Sequence, residues 1–112
     1  MYNDQRARRV VLYRTEAGIE PYAEYVDALG DRAGASKIRA RVTRAGAGNL
    51  GDHRGVGGGV IELRIHSGPG YRVYAGLEGH ELIVLLCAGD KDSQREDIRN
   101  AIEYWDDYRR NA

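Results

Sequence analysis

The stretch Val60 to Leu77, VIELRIHSGPGYRVYAGL, carries two arginines, a histidine and two tyrosines. Arg64, His66, Arg72 and Tyr74, with Tyr71 beside them, are residue types that grip anions, transfer protons, and stack on or hydrogen-bond to planar groups. Arg64 and His66 are two residues apart, as are Arg72 and Tyr74. That is the period that brings side chains to one face of a β-strand. The chemistry on offer is therefore cationic and proton-transferring, on a rigid surface.

The element that must position these groups is a β-hairpin. Apolar and polar residues alternate on both sides of Ser67-Gly68-Pro69-Gly70, which has turn composition. Ile61, Leu63 and Ile65 point to one side of the sheet, and Glu62, Arg64 and His66 to the other. A three-residue loop at 68–70 places Val73, Ala75 and Leu77 on the apolar side and Arg72 and Tyr74 beside the arginine and histidine. A four-residue loop slips the pairing by one and buries Arg72, which costs several kcal/mol for an unpaired charge. The first register is the expected one.

At 112 residues the chain is expected to form one domain with its own core. The single cysteine, Cys87, lies in the most apolar run, which excludes a disulfide framework and points to a reduced, cytoplasmic setting. That run, Leu82 to Ala88, is too short to span a bilayer, and MYNDQRARR has no apolar stretch of signal-peptide length. The formal net charge is zero. Between Arg32 and Leu77, however, eight basic residues, Arg39 and Arg54 among them, face two acids, while between Glu78 and Tyr108 nine acids face three bases. The first half suits a polyanion and the second a basic partner, if the runs are more than solvated helix faces.

Along the chain, Arg8–Arg14 reads as a first strand. Pro21 suits the first turn of a helix over 21–29, with Tyr22, Tyr25, Val26 and Leu29 at helical spacing. Gly30-Asp31 supplies a break and an N-cap, after which Ala35, Ile38, Val42 and Ala45 mark a second helix with a basic outer face. The segment GAGNLGDHRGVGGG (46–59) is too rich in glycine for regular structure and reads as a flexible connector. It does not lead from a strand into a helix, as the dinucleotide-binding fingerprint requires. Leu82 to Ala88 reads as a central strand buried on both faces. Ser93 and Glu96 have capping-box spacing before a third helix over about 94–109, with Ile98, Ala101, Ile102, Trp105 and Tyr108 on one stripe. The expected fold class is α+β: a four-stranded, mostly antiparallel twisted sheet with two N-terminal helices and a C-terminal helix, in the order β-α-α-β-β-β-α.

That order comes with Gly48-Asn49-Leu50-Gly51-Asp52, Val56-Gly57, Glu62-Leu63-Arg64, Gly68-Pro69-Gly70-Tyr71-Arg72-Val73-Tyr74, Leu85-Leu86, Gly89-Asp90-Lys91, Gln94 and Asp97-Ile98. Together they resemble the RelE/HigB-type toxins of type II toxin–antitoxin systems, and more narrowly the phage-derived addiction module killer proteins. The matches run from about Pro21 to Trp105. The resemblance implies a small RelE-like domain that cleaves messenger RNA, usually on the ribosome, and is silenced by a cognate helix-turn-helix antitoxin. It carries over Arg64, Arg72 and Lys91 as site residues. The C-terminal tyrosine of the RelE branch has no counterpart, since the segment after Lys91 reads DSQREDI.

RNA can be cut without a metal or other cofactor when its 2′-hydroxyl attacks the adjacent phosphate. This requires a base, cations for the pentavalent intermediate and an acid for the leaving oxygen. Arg64 and Arg72 suit the middle task because their planar forks match phosphate oxygens. Lys91 adds charge or a proton, and His66 is the candidate base, with Glu62 either orienting it or holding an arginine in place. Tyr71, Tyr74, Arg39 and Arg54 are candidate RNA-binding residues. His53, His66 and His80 lack metal-ligand spacing, and no serine sits at a strand-turn-helix elbow. Two alternatives stay open. One is a non-catalytic toxin of the same fold acting on a protein target such as gyrase, and the other is a decayed toxin retained in a repressor complex.

Overall fold

A computed structural model of the chain describes residues 6–111. Its elements are β1 (Arg9–Leu12), α1 (Pro21–Ala28), α2 (Arg32–Gly46), β2 (His53–Gly57), β3 (Val60–Ile65), β4 (Tyr71–Glu78), β5 (Leu82–Gly89), one 3₁₀ turn (Lys91–Ser93) and α3 (Gln94–Arg110). The fold is α+β, with one five-stranded sheet in the order β1-β5-β4-β3-β2. β1 runs parallel to β5, and every other pairing is antiparallel. No helix among the described residues is long and apolar enough to cross a membrane.

The expected strand count of four is corrected to five, because His53–Gly57 pairs with β3 instead of forming a flexible connector. The glycines are used for close packing. Gly57, Gly58 and Gly59 turn the chain with positive φ, and a Cβ on Gly58 would stand 2.7 Å from Ile102 of α3. Composition alone misled because glycine is depleted in strands on average, yet it is tolerated where another element approaches the backbone closely.

The hairpin keeps its expected sides but not its expected loop. Ile65 pairs with Tyr71 and Arg64 with Arg72, leaving five residues, 66–70, in the connection. This lies two residues from the expected pairing, so side-chain parity is preserved. One face, with Leu63, Ile65, Val73 and Ala75, packs under α1 and α2 through Tyr22, Val26, Ile38 and Val42. On the other face α3 presses Ala101 and Trp105 onto Val60, Tyr74, Val84 and Leu86. Gly76 permits this, since a Cβ there would meet the Trp105 ring at 2.3 Å.

The helix ends follow local rules with one shift. Pro21 opens α1, and the Asp31 carboxylate accepts the Gly34 N–H at the start of α2. The capping box falls on Asp90 and Ser93 rather than Ser93 and Glu96. The intervening 3₁₀ turn makes Asp90 the residue that receives the first free N–H groups, at Asp92 and Ser93. The Ser93 hydroxyl donates instead to Asp97 at 2.6 Å.

Candidate functional site

α3 covers only part of its face of the sheet. Beyond its N-terminus, β2, β3 and β4 present two cross-strand rows. Arg54, Glu62 and Tyr74 lie opposite one another in the first, and Arg64 faces Arg72 in the second. Two like charges directly opposite are unfavourable unless an opposite charge stands between them, and Glu62 supplies it. Its side chain is wholly buried.

Every lone-pair direction of that carboxylate is used. Oε1 accepts from Arg54 Nε at 3.0 Å and Arg64 Nε at 3.3 Å. Oε2 accepts from Gln94 Nε2 at 2.8 Å and the Tyr74 hydroxyl at 3.1 Å, with Arg72 Nε paired at 3.5 Å. Burial alone would raise the Glu62 carboxyl. The hydrogen bonds from Arg54, Gln94, Tyr74 and Arg64 together outweigh it and hold the group below its ordinary value. Three guanidiniums on one carboxylate leave a net double positive charge. Each turns its Nε edge inward, and among the described residues the terminal nitrogens of Arg54 make no hydrogen bond.

The remaining candidates join this cluster or leave it. A Cβ on Gly70 would lie 3.7 Å from Arg72 Nη1 and 3.8 Å from Lys91 Cβ, so the exposed Lys91 side chain starts close to Arg72, just past the end of β5. Exposed His66 is tied in through Asp52. His66 Nε2 stands 2.5 Å from Asp52 Oδ2, and Asp52 Oδ1 lies 3.9 Å from Arg64 Nη1. The carboxylate as acceptor assigns the proton to Nε2 and leaves Nδ1 as the basic nitrogen. The His66 hydrogen bond, with Arg64 beside it, holds the Asp52 carboxyl below its ordinary value.

Three sequence candidates are corrected by their positions. Tyr71 is 3% exposed on the opposite face, where its hydroxyl donates to Asp31 at 2.8 Å and is pushed up to about 12 by that bond. Tyr74 is fully buried and donates to Glu62, and burial raises its phenol strongly. Neither ring can stack on a base. Arg39 points away along α2 and pairs with Asp27 at 3.4 Å. Arg54, Arg64, Arg72, Lys91 and His66 are brought into one connected patch.

Asp52 and Gln94 escaped the sequence reading as site residues. The usable signal for Asp52 was the strand that follows it. With β2 paired to β3, Arg54 falls opposite Glu62, and Asp52 falls where β3 ends. Among the described residues no group of three or more histidine, cysteine, aspartate or glutamate side chains is arranged to hold a metal ion.

No family model and no solved structure matches the chain. Over 66 residues, 59% of this chain and 67% of the relative, it is 48% identical to a protein of Haemophilus influenzae described as uncharacterized. The chain belongs to one family with that Haemophilus influenzae protein.

Proposed function

We propose that this protein is the toxin of a type II toxin–antitoxin pair, of RelE/HigB type, and that it cuts messenger RNA in the cytoplasm at the Glu62 cluster. One observation carries the reading: a buried carboxylate fixes three arginines side by side, two of them partly exposed, and among the described residues the terminal nitrogens of Arg54 make no hydrogen bond. Such a cluster is a preorganised site for a phosphate whose charge grows as it becomes pentavalent. Arg64 and Arg72 hold the non-bridging oxygens. His66 Nδ1 takes the 2′-hydroxyl proton as that oxygen bonds to phosphorus, Asp52 steadies the resulting imidazolium, and the 5′-oxygen departs with a proton from Lys91. The products are a 2′,3′-cyclic phosphate and a 5′-hydroxyl. A helix-turn-helix antitoxin and the ribosome are the partners this reading implies.

The test is expression in a bacterial host with growth and transcript ends followed together. Wild type is expected to arrest growth and to leave new 5′ ends detectable by primer extension. Arg72→Ala and Lys91→Ala are expected to abolish both while circular dichroism still reports a folded protein. Wild-type arrest by both variants would remove the proposal. A second reading, inhibition of a protein target without RNA cleavage, is favoured by the burial of both Tyr71 and Tyr74, which leaves the cluster without an exposed tyrosine. It predicts arrest with no new 5′ ends.

A further inference from the structure

On the far side of Arg64 from the Glu62 cluster, an open groove of about 550 Å³ runs between α2 and the ends of β2 and β3. Its walls carry Lys37, Arg41, Arg44 and Arg64, against the single carboxylate of Asp52. That carboxylate is already engaged by His66 and Arg64. Lys37, Arg41 and Arg44 recur at four and three residues along α2, so they form one stripe.

The fixed charge is Arg41. It is 4% exposed, yet its partners are backbone carbonyls: Arg64 O at 3.0 Å, Leu50 O at 2.6 Å and Asp52 O at 2.9 Å. Gly51, with φ +58°, lets the loop lie flat on the guanidinium, since a Cβ there would stand 3.1 Å from Arg41 Cζ. Carbonyls satisfy the N–H groups without cancelling the charge, so the groove floor stays cationic. At its rim, Arg44 is exposed and makes no ion pair among the described residues.

We infer that this groove is a second phosphate subsite, which holds the backbone of a single-stranded RNA one or more nucleotides away from the linkage gripped at Glu62. The inference rests on the proposed function. Arg64 belongs to both sites, so a chain with regularly repeated negative charges can occupy them together. An acidic protein segment is less well served, because the apolar part of the lining is little more than Ala40 and Ile65. With no tyrosine or tryptophan in its lining and the His66 ring held at Nε2 by Asp52, the subsite reads chiefly the backbone.

The experiment measures binding of labelled 2′-O-methyl oligoribonucleotides, which cannot be cut, to the full chain by fluorescence anisotropy. For an octanucleotide, Lys37→Gln/Arg44→Gln is expected to weaken binding about tenfold and to reduce the slope of log K against log salt by about 1.4, two phosphates' worth. A competing trinucleotide, long enough only for the Glu62 cluster, is expected to bind both proteins within about twofold. Equal losses for both lengths would show a diffuse field instead of a subsite, and an unchanged octanucleotide affinity would overturn the subsite outright. Hexaglutamate that binds wild type more tightly than the octanucleotide, and loses that affinity in the double variant, would reassign the groove to a protein partner. Wild type that binds neither oligonucleotide counts against the proposed function itself, whereas wild-type binding with an unaffected variant removes the subsite alone.

Discussion

The β3–β4 hairpin has two faces built from alternate residues of the same strands, and they meet opposite fates. Leu63, Ile65, Val73 and Ala75 are sealed beneath α1 and α2. One residue over, Glu62, Arg64 and Arg72 sit where α3 stops short, so polar groups are held at the edge of a hydrophobic layer formed by Val60, Tyr74 and Trp105. A charge at such a boundary meets less solvent screening than one on an open surface, yet a ligand can still reach its outer side. The site is therefore made by the length and placement of one helix as much as by the residues beneath it.

Neighbouring substitutions on the two faces are expected to have the largest and most distinct effects. Leu63→Ala removes a fully buried side chain and is expected to cost about 2–5 kcal/mol. Glu62→Gln strips the common partner from three arginines. Because those arginines are partly exposed, its cost is placed at about 2–4 kcal/mol, below the range for a fully buried pair. Each should lower Tm by about 4 °C per kcal/mol in thermal melts. The signatures diverge in RNA binding measured well below Tm, where Leu63→Ala keeps wild-type affinity and Glu62→Gln loses it. Parallel loss in both would mean that the cluster is structural only.

A smaller effect appears on acidification. Glu62 gives up its proton more readily in the folded chain than in the unfolded one. Its stabilisation is therefore complete above the ordinary glutamate value of about 4.3, and it is lost as pH falls through the lower folded value. Asp52 and Asp31 are shifted in the same direction, by His66 and by the Gly34 N–H respectively, and add to the loss. Urea unfolding at pH 7 and pH 3 is expected to show a smaller drop in stability for Glu62→Gln than for wild type. Equal drops would show that Glu62 does not carry its share.

How much of this was legible in the sequence depended on whether the cause was local. The stripe Ala35, Ile38, Val42 and Ala45 and the cap at Asp31 are written within one turn or a few, and α2 forms as expected. Alternation in 60–65 and 71–77 gave the two faces of the hairpin even though its loop is two residues longer than expected, because parity survives a shift of two. β2 was hidden because its strand character comes from pairing with β3 and from Ile102 and Trp105 closing on the glycine turn at its end, Gly57 to Gly59, and α3 is not near it in the chain. With β2 hidden, the pairing of Arg54 with Glu62 was hidden too. The burial of Tyr71 and Tyr74 is hidden for a related reason. Aromatic residues in a strand look alike whether they face solvent or a helix, and only the positions of Asp31 and α3 decide.

The smallest expected effect separates two faces of a single helix. Arg39 lies between Lys37 and Arg41 in sequence, yet successive residues on a helix are turned by about 100°, so it falls outside the stripe that lines the basic groove. Its partner is Asp27, with both side chains mostly exposed, and a pair of that kind is worth about 0.5 kcal/mol or less. Arg39→Gln is therefore expected to leave Tm within about 2 °C and octanucleotide affinity within about twofold of wild type, although it removes the same charge from the same helix as Arg44→Gln does. Net charge is thereby held constant between the two single variants and only its position differs. If Arg39→Gln weakened RNA binding as much as Arg44→Gln, the helix would act as a general cationic surface, and the distinction between its groove face and its outer face would carry no functional meaning.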